Sequence, residues 1–231
     1  MEPFSTALPS RNRLLVFARV PERGLVKTRL ADVLGAEKTL TIYEAMVADL
    51  LQSVGTSDES LKIEILWTGS EAVRGRTLRQ YFAEYSLAQQ TGETLGVRLA
   101  MAFAERIFFH RTEKVLAIGT DDPGLPRDLI NTALNILESC EWVLGPAHDG
   151  GYYLIGCRAS AFDPDVFENI PWGTETVFDE TVRRIRGIGA TLAVLPRRTD
   201  IDRLEDLQEY LQHAGTEAAM ARLTRDWTWQ T

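Results

Sequence analysis

The stretch LLVFARVPERGLVKTRL, residues 14–30, joins an apolar run to a cationic turn. Residues 14–18 are apolar and too few for a helix, so they predict a first, buried β-strand. The turn that follows contains Pro21 and Gly24 and four basic side chains, those of Arg19, Arg23, Lys27 and Arg29. A buried strand that leads through a polar turn into a segment of helical period is a typical opening of an α/β fold.

Six further apolar runs alternate with segments of helical period along the chain. These runs predict strands at residues 63–67, 85–89, 115–119, 142–145, 152–157 and 191–195. Apolar residues at steps of three and four predict helices between the strands, and the most apolar of them, residues 95–109, is expected to be largely buried. This alternation predicts an α/β fold with a mostly parallel sheet.

The composition narrows the class of protein. The chain has 231 residues, a formal net charge of -8 and 45% hydrophobic residues, which fits a globular protein with one α/β domain. The acidic balance argues against nucleic acid or an anionic membrane as a partner. Cys140 and Cys157 lack metal-ligand spacing, and we find neither a signal peptide nor an apolar run of the ~20 residues that span a bilayer. We therefore expect a soluble, cytoplasmic protein.

The cationic turn is the first candidate site. Residues 11–29 hold six basic residues and one acid, a charge of +5 within an acidic chain. Open α/β sheets bind ligands beyond the carboxyl ends of their strands, where this turn lies. Lys27 and Arg29 fall at the predicted start of a helix, where cations oppose the helix dipole unless an anion such as phosphate binds there. Gly24 would let the backbone approach that phosphate, and a solvated surface loop is the alternative interpretation.

Two acidic motifs are candidates for a metal site. In AIGTDDPGLP, residues 117–126, the carboxylates of Asp121 and Asp122 follow a buried strand, and we expect one or both to bind Mg²⁺ or Mn²⁺. The alternative is a plain turn, which Asp and Pro also favour. In TDIDRLEDL, residues 199–207, Asp202 either caps the next helix in a capping box with Glu205 or supplies a further carboxylate to the same metal.

Other polar positions are candidates for substrate binding. In GPAHDGGYYLIG, residues 145–156, Asp149 could bind a hydroxyl-rich substrate, and Gly150 and Gly151 would let the backbone pass close to it. Thr174 joins this substrate set and is also expected to cap the helix that follows. Arg98 lies in the first turns of the apolar helix, either as a nucleotide contact or in a surface salt bridge.

These motifs together resemble a bacterial family. Six segments are similar, in the same order, to the family called "transferase 1, radical-SAM/selenodomain-associated", which carries the label glycosyltransferase. These segments are FARVPERGLVKTRL, QTGETLGVRL, IGTDDPGLP, GPAHDGGYYLIG, IPWGTETVFDET and DIDRLEDL. The resemblance implies a single GT-A-like domain of the nucleotide-diphospho-sugar transferase superfamily. We place that domain at residues 13–213, between an N-terminal extension (1–12) and a C-terminal tail (214–231).

The resemblance also implies roles for individual residues. Nucleotide phosphates would bind to Arg19, Gly24, Lys27 and Arg29, with Arg98 nearby. Asp121 and Asp202 would hold the metal, although Asp122 stands where the family usually has another residue, often cysteine, and this leaves the choice between Asp121 and Asp122 open. The expected catalytic residues are Asp121, Lys27 and Asp149.

Two reactions and one inactive alternative fit these residues. A glycosyltransferase would pass a sugar from a nucleotide-sugar donor to a small-molecule acceptor. A nucleotidylyltransferase would join a nucleoside triphosphate to a phosphorylated acceptor with release of pyrophosphate, and the G-x-x-K-T-R turn favours this reaction. A nucleotide-binding protein without turnover is the third hypothesis, which intact carboxylates at both expected metal positions disfavour.

Overall fold

A computed structural model of the chain describes residues 11–55, 59–69, 82, 84–225 and 227. The strands are β1 Asn12–Arg19, β2 Leu61–Thr68, β3 Ser86–Gln89, β4 Lys114–Ile118, β5 Trp142–Pro146, β6 Tyr152–Arg158 and β7 Leu192–Val194. They form one sheet in the order β3-β2-β1-β4-β6-β5-β7. Only β6 runs antiparallel to its neighbours, which confirms the predicted α/β fold with a mixed, mainly parallel sheet.

Helices cover both faces of this sheet. Within the described residues they are α1 Thr28–Leu34, α2 Ala36–Val54, α3 Leu95–Phe108, α4 Arg127–Ile136, α5 Val177–Gly187, α6 Leu204–His213 and α7 Ala219–Thr224. Two short 3₁₀ segments, Ala159–Ala161 and Pro164–Phe167, follow β6. None of the described helices is long and apolar enough to span a membrane.

The central strand β1 is apolar on both sides because it lies between two packed layers. Leu14 and Val16 face the layer formed by α2 and α4, whereas Leu15 faces the layer of α3 and α5. Side chains of a strand alternate between faces, so a strand covered twice becomes a continuous apolar run. The run at residues 14–18 that predicted the first strand therefore also marks the middle layer of the fold.

The apolar helix α3 is buried on one side only. Leu99 and Phe103 pack into the core beneath the sheet, but Met101 is 46% exposed and Phe108 is 66% exposed. The expectation that this helix is largely buried was therefore wrong for its outer face. The number of apolar residues in a helix does not by itself distinguish a helix that is buried on all sides from one that is buried along a single face.

The C-terminal part of the chain joins the core. Met220 in α7 is fully buried against α2. Asp49 of α2 accepts hydrogen bonds from the backbone N–H groups of Ala219 and Met220, at 2.5 and 3.0 Å, and so caps the start of α7. The predicted tail from residue 214 is thus an integral part of the fold as far as α7.

A buried ion network ties β1, β2 and α3 together. The guanidinium of Arg106 donates to Glu64 Oε1 at 2.7 Å and to Oε2 at 3.1 Å, and Arg13 Nη1 lies 3.3 Å from Glu64 Oε2. Arg13 also donates through Nε to the hydroxyl of Thr112 at 3.0 Å. Burial acts to raise the pKa of Glu64, but the hydrogen bond and charge of Arg106, with the charge of Arg13, outweigh it and lower the pKa.

We predict that Glu64→Gln lowers the free energy of unfolding by about 3 kcal/mol at pH 7, because two buried guanidinium groups lose their counter-charge. The lowered pKa of Glu64 makes its contribution complete above its unfolded value of 4.5 and progressively lost as the pH falls through the lower folded value. The difference between wild type and variant, measured by urea unfolding, should therefore stay constant from pH 7 down to about pH 5 and narrow only as the pH falls below 4.5.

The ion pair of Arg11 and Glu113 provides the control, because both side chains are exposed and Arg11 Nε lies 3.5 Å from Glu113 Oε1. Glu113→Gln should change stability by less than about 1 kcal/mol. A Glu64→Gln loss no larger than this control would contradict a stabilising role for the buried network.

Candidate active site

A cavity of about 1190 Å³ opens at the carboxyl ends of β1 and β4. Its walls include segments that are far apart in sequence, among them the turn after β1, the turn after β4, the start of α3, the loop between β5 and β6, the loop before α5 and the segment before α6. Parallel strands bring the loops after their carboxyl ends to one edge of the sheet. The cavity therefore lies where the sequence placed its candidate site.

Lys27 is at the centre of the charged side of this cavity. Its Nζ lies 2.7 Å from Asp121 Oδ1 and 2.7 Å from Asp202 Oδ1. The side chain of Lys27 is only 6% exposed. Burial acts to lower the pKa of Lys27, but the charges of Asp121 and Asp202 outweigh it and raise the pKa. Lys27 is consequently an ammonium ion held between two carboxylates.

The backbone of Lys27 is unusual. It precedes α1 with φ 45° and ψ 52°, a left-handed conformation that costs a residue with a side chain about 1–2 kcal/mol. Gly24, with φ 75°, makes the turn that leads there, and the N–H of Leu25 closes that turn on the carbonyl of Glu22 at 3.0 Å. Gly24 is exposed and does not line the cavity, so turn geometry accounts for this glycine.

Asp202 faces the cavity because another residue caps α6. The carboxylate of Asp206 accepts hydrogen bonds from the N–H groups of Asp202, at 3.0 Å, and Arg203, at 2.7 Å. The predicted capping box of Asp202 and Glu205 was therefore wrong. Burial acts to raise the pKa of Asp202, but the charge and hydrogen bond of Lys27 outweigh it and lower the pKa.

Asp200 also lines the cavity, and the sequence reasoning missed it. Burial raises its pKa to about 7, and the negative charges of Asp121 and Asp149 add to the effect. Ile201, between Asp200 and Asp202 in the sequence, is buried. Its N–H donates to the carbonyl of Asp121 at 2.8 Å and so ties this segment to the turn after β4. The spacing D-I-D was the available signal, because acids two residues apart can serve one site.

Adjacent Asp121 and Asp122 have different surroundings. Asp121 lines the cavity, whereas Asp122 is buried outside it. The Nε of Arg198 binds Asp122 Oδ2, and Arg198 Nη2 lies 3.2 Å from Asp122 Oδ1 and donates to the carbonyl of Gly124 at 2.9 Å. Asp122 therefore anchors the segment before Asp200, and Asp121 is the acid that faces the cavity.

Three arginines that the sequence predicted to bind phosphate line the cavity. Arg19 and Arg98 line both this cavity and a smaller one of about 250 Å³ beside it. Arg98 is oriented by a hydrogen bond from its Nε to the carbonyl of Gly92 at 2.8 Å. Arg29 is 65% exposed, with Nη1 3.5 Å from Asp202 Oδ2.

Tyr43 is a second residue that the sequence reasoning did not assign to the site. Its buried hydroxyl donates to the carbonyl of Arg19 and accepts from the N–H of Arg19, both at 3.0 Å. The same hydroxyl lies 3.4 Å from Thr120 Oγ1. Tyr43 thereby joins the end of β1 to the residue before Asp121. A helical Tyr on an apolar face resembles any core residue, so no local pattern singled it out.

Three of the four substrate candidates line the cavity. Asp149, Gly151 and Thr174 line it, and Asp149 Oδ1 accepts a hydrogen bond from the N–H of Gly151 at 2.8 Å. The expectation that Thr174 caps α5 was wrong, because this helix begins after Thr176 and the Thr174 hydroxyl donates to the carbonyl of Pro171 at 2.8 Å. Gly150 packs against the backbone of Glu175 instead of lining the cavity.

We predict that Gly150→Ala lowers the free energy of unfolding by about 2–4 kcal/mol, because φ is 90° there and the new methyl group would overlap the backbone of Glu175. Gly189→Ala is the matched control, since Gly189 has φ 76° but open space around it. Gly189→Ala should lower the free energy of unfolding by only about 1 kcal/mol. Equal losses in urea unfolding would show that close packing does not explain Gly150.

The donor set defines what the site could hold. Within the described residues, no group of three or more His, Cys, Asp or Glu side chains is arranged to enclose a metal ion. Asp121 and Asp202 do approach one cation, the ammonium of Lys27. Mg²⁺ typically binds through one or two carboxylates and completes its shell with water and phosphate oxygens. The arrangement therefore fits a metal that arrives together with a phosphate ligand.

Comparison with known proteins places the chain in a family. The family model described as "Uncharacterized protein conserved in bacteria (DUF2064)" matches residues 51–174. The chain belongs to the DUF2064 family. The crystal structure of a "putative nucleotide-diphospho-sugar transferase" from Desulfovibrio desulfuricans G20 is 32% identical, with a TM-score of 0.87 over 94% of this chain and 95% of that one. None of the curated proteins matches this DUF2064 chain.

More distant structures share the fold of this DUF2064 protein. A cytidylyltransferase from Leptospira borgpetersenii is 12% identical, with a TM-score of 0.55 over 96% of this chain and 99% of its own. CMP:2-keto-3-deoxy-manno-octonic acid synthetase, solved with CTP, is 10% identical, with a TM-score of 0.53 over 94% and 100%. At these identities the likeness concerns the fold, which is that of nucleotide-diphospho-sugar transferases.

Proposed function

We propose that this DUF2064 protein is a metal-dependent transferase that uses a nucleotide-sugar donor and a small-molecule acceptor. The observation that carries the proposal is the Lys27 ammonium between Asp121 and Asp202 at the edge of the cavity. It brings a phosphate-binding cation and two metal-binding carboxylates to one point. The 32% identical structure described as a "putative nucleotide-diphospho-sugar transferase", matched over nearly the whole chain, supports the same class.

The metal would be Mg²⁺ or Mn²⁺, held by Asp121 and Asp202. The ammonium of Lys27 already serves as a stand-in cation there, which shows that both carboxylates can approach one positive charge. When bound, the metal would supply positive charge to the phosphate oxygens of the leaving group. We assign no metal contact to Asp122, because Arg198 pairs with its carboxylate.

The remaining residues bind and orient the substrates. The space for the donor phosphates is surrounded by four basic side chains, those of Arg19, Lys27, Arg29 and Arg98. Their positive charges would offset the negative charge on the leaving nucleotide. Asp149 lines the same cavity and would accept a hydrogen bond from a hydroxyl of the sugar or acceptor. Positioning of this kind supplies much of the rate in such transfers.

Nucleotidyl transfer is the second candidate function. The basic side chains that line the cavity favour this reaction, because a nucleoside triphosphate carries more negative charge than the diphosphate of a nucleotide sugar. In that reaction the hydroxyl or phosphate of the acceptor attacks the α-phosphorus, and pyrophosphate leaves. The assignment to the radical-SAM/selenodomain-associated transferases stays a prediction alongside both reactions.

A thermal-shift screen with Mn²⁺ separates these functions. Ligands that bind only the folded protein raise its melting temperature by mass action. A nucleotide sugar and its nucleoside diphosphate should both raise the melting temperature, and EDTA should reduce the shift. A shift with one nucleoside triphosphate alone would favour nucleotidyl transfer, and no shift with any nucleotide would contradict both proposals. Binding without any product in a subsequent turnover assay would favour a non-catalytic protein.

The two adjacent acids provide a mutational test. Asp121→Asn should reduce turnover by about 100-fold or more with little change in melting temperature, because a ligand carboxylate is lost from the cavity. Asp122→Asn should do the opposite, keeping the metal requirement while lowering the melting temperature through the loss of the Arg198 pair. Full activity of Asp121→Asn in a steady-state assay would remove Asp121 from the metal site.

A further inference from the structure

Lys27 occupies the position that a metal ion would need. Its Nζ is 2.7 Å from one oxygen of Asp121 and 2.7 Å from one oxygen of Asp202. Asp121 and Asp202 would hold a divalent ion through their carboxylate oxygens, and Lys27 is bound to one oxygen of each. An ammonium and a divalent cation on the same two carboxylates would repel each other strongly, most of all where water is largely excluded. The ammonium and the metal cannot share the site.

We propose that Lys27 is a built-in competitor for the metal, so that a divalent cation enters only as the lysine side chain leaves. The inference rests on the proposed function, because it takes Asp121 and Asp202 as the metal ligands. In the protein without ligands, Lys27 neutralises the two acids and keeps the site together. Once displaced, the same ammonium is free to meet a donor phosphate.

The local structure favours such an exchange. Lys27 holds a left-handed backbone conformation, whose cost the two ion pairs offset. Asp149 lines the same cavity and adds negative charge that attracts an incoming cation. Arg29 also approaches Asp202, but it is largely exposed, 3.5 Å away and bound to the other oxygen. Lys27 alone among the described cations bridges both acids.

Mn²⁺ titration of the full chain in the absence of nucleotide tests the competition. Lys27→Met preserves the length of the side chain but removes its charge, so we expect its Mn²⁺ dissociation constant, by calorimetry, to be at least tenfold lower than that of wild type. Arg29→Met is the matched control and should change the constant by less than threefold. Adding Asp121→Asn to Lys27→Met should abolish the binding, which places the metal at this site.

A labelling experiment on wild type avoids reliance on a variant that could fail to fold. Buried Lys27 should react slowly with formaldehyde and a borohydride reductant in EDTA, and at least fivefold faster in saturating Mg²⁺, as measured by mass spectrometry. Exposed Lys62 should react equally in both conditions. Unchanged labelling of Lys27 with Mg²⁺ bound would overturn the proposal.

Different results would contradict the proposed competition by Lys27 and the proposed metal-dependent function. If wild type and Lys27→Met bind Mn²⁺ equally, and Asp121→Asn still abolishes binding, the competition is wrong and the metal site stands. If neither protein binds Mn²⁺, even with the nucleotides of the thermal-shift screen present, the proposed metal-dependent function fails and the competition fails with it.

Discussion

The ion triad of Asp121, Lys27 and Asp202 is the interaction on which the organisation of the cavity depends. Lys27 and Asp202 are 175 positions apart in the chain, yet the ammonium of one lies 2.7 Å from the carboxylate of the other. The triad joins the turn after β1, the end of β4 and the segment before α6. Each group alone would be costly to bury, since partial loss of water destabilises an isolated charge. Paired, they hold three loops at one edge of the sheet.

Two further polar contacts support this triad. The Asp122–Arg198 pair fixes the segment that carries Asp200, and the hydroxyl of Tyr43 fixes the backbone of Arg19. Residues that touch a ligand are precise only when the residues behind them are held by packing and hydrogen bonds. The protein thus separates two roles between neighbours, with Asp121 facing the cavity and Asp122 holding the frame.

The charge distribution is consistent with a phosphate-bearing substrate in an acidic protein. The chain carries a net charge of -8, but basic side chains line the cavity together with its acids. The basic side chains would attract an anionic donor, and the carboxylates would attract a divalent cation. The proposed exchange of Lys27 between carboxylates and phosphate uses this mixture, because both kinds of charge are within reach of one flexible side chain.

Much of the fold could be predicted because it follows from local pattern. All seven predicted strands occur. The central strands are short apolar runs because both of their faces are buried, whereas the edge strands β3 and β7 are partly exposed. The placement of the site also followed, because the carboxyl ends of parallel strands share an edge. Helix caps were predicted less well. Asp202 and Thr174 both had the residue type of a cap, but Asp206 and the backbone around Thr176 supplied the actual helix starts.

The sequence by itself determined the order of strands and helices along the chain, the cationic turn and the acidic motifs, because backbone preference and hydrophobic period act over neighbouring residues. Only the tertiary structure decided that Asp121 and not Asp122 faces the cavity, that Asp200 joins it, and that Lys27 bridges two acids. Those outcomes depend on which side chains meet across the sheet edge. Burial and charge select such contacts between residues far apart in the chain, where no local pattern records them.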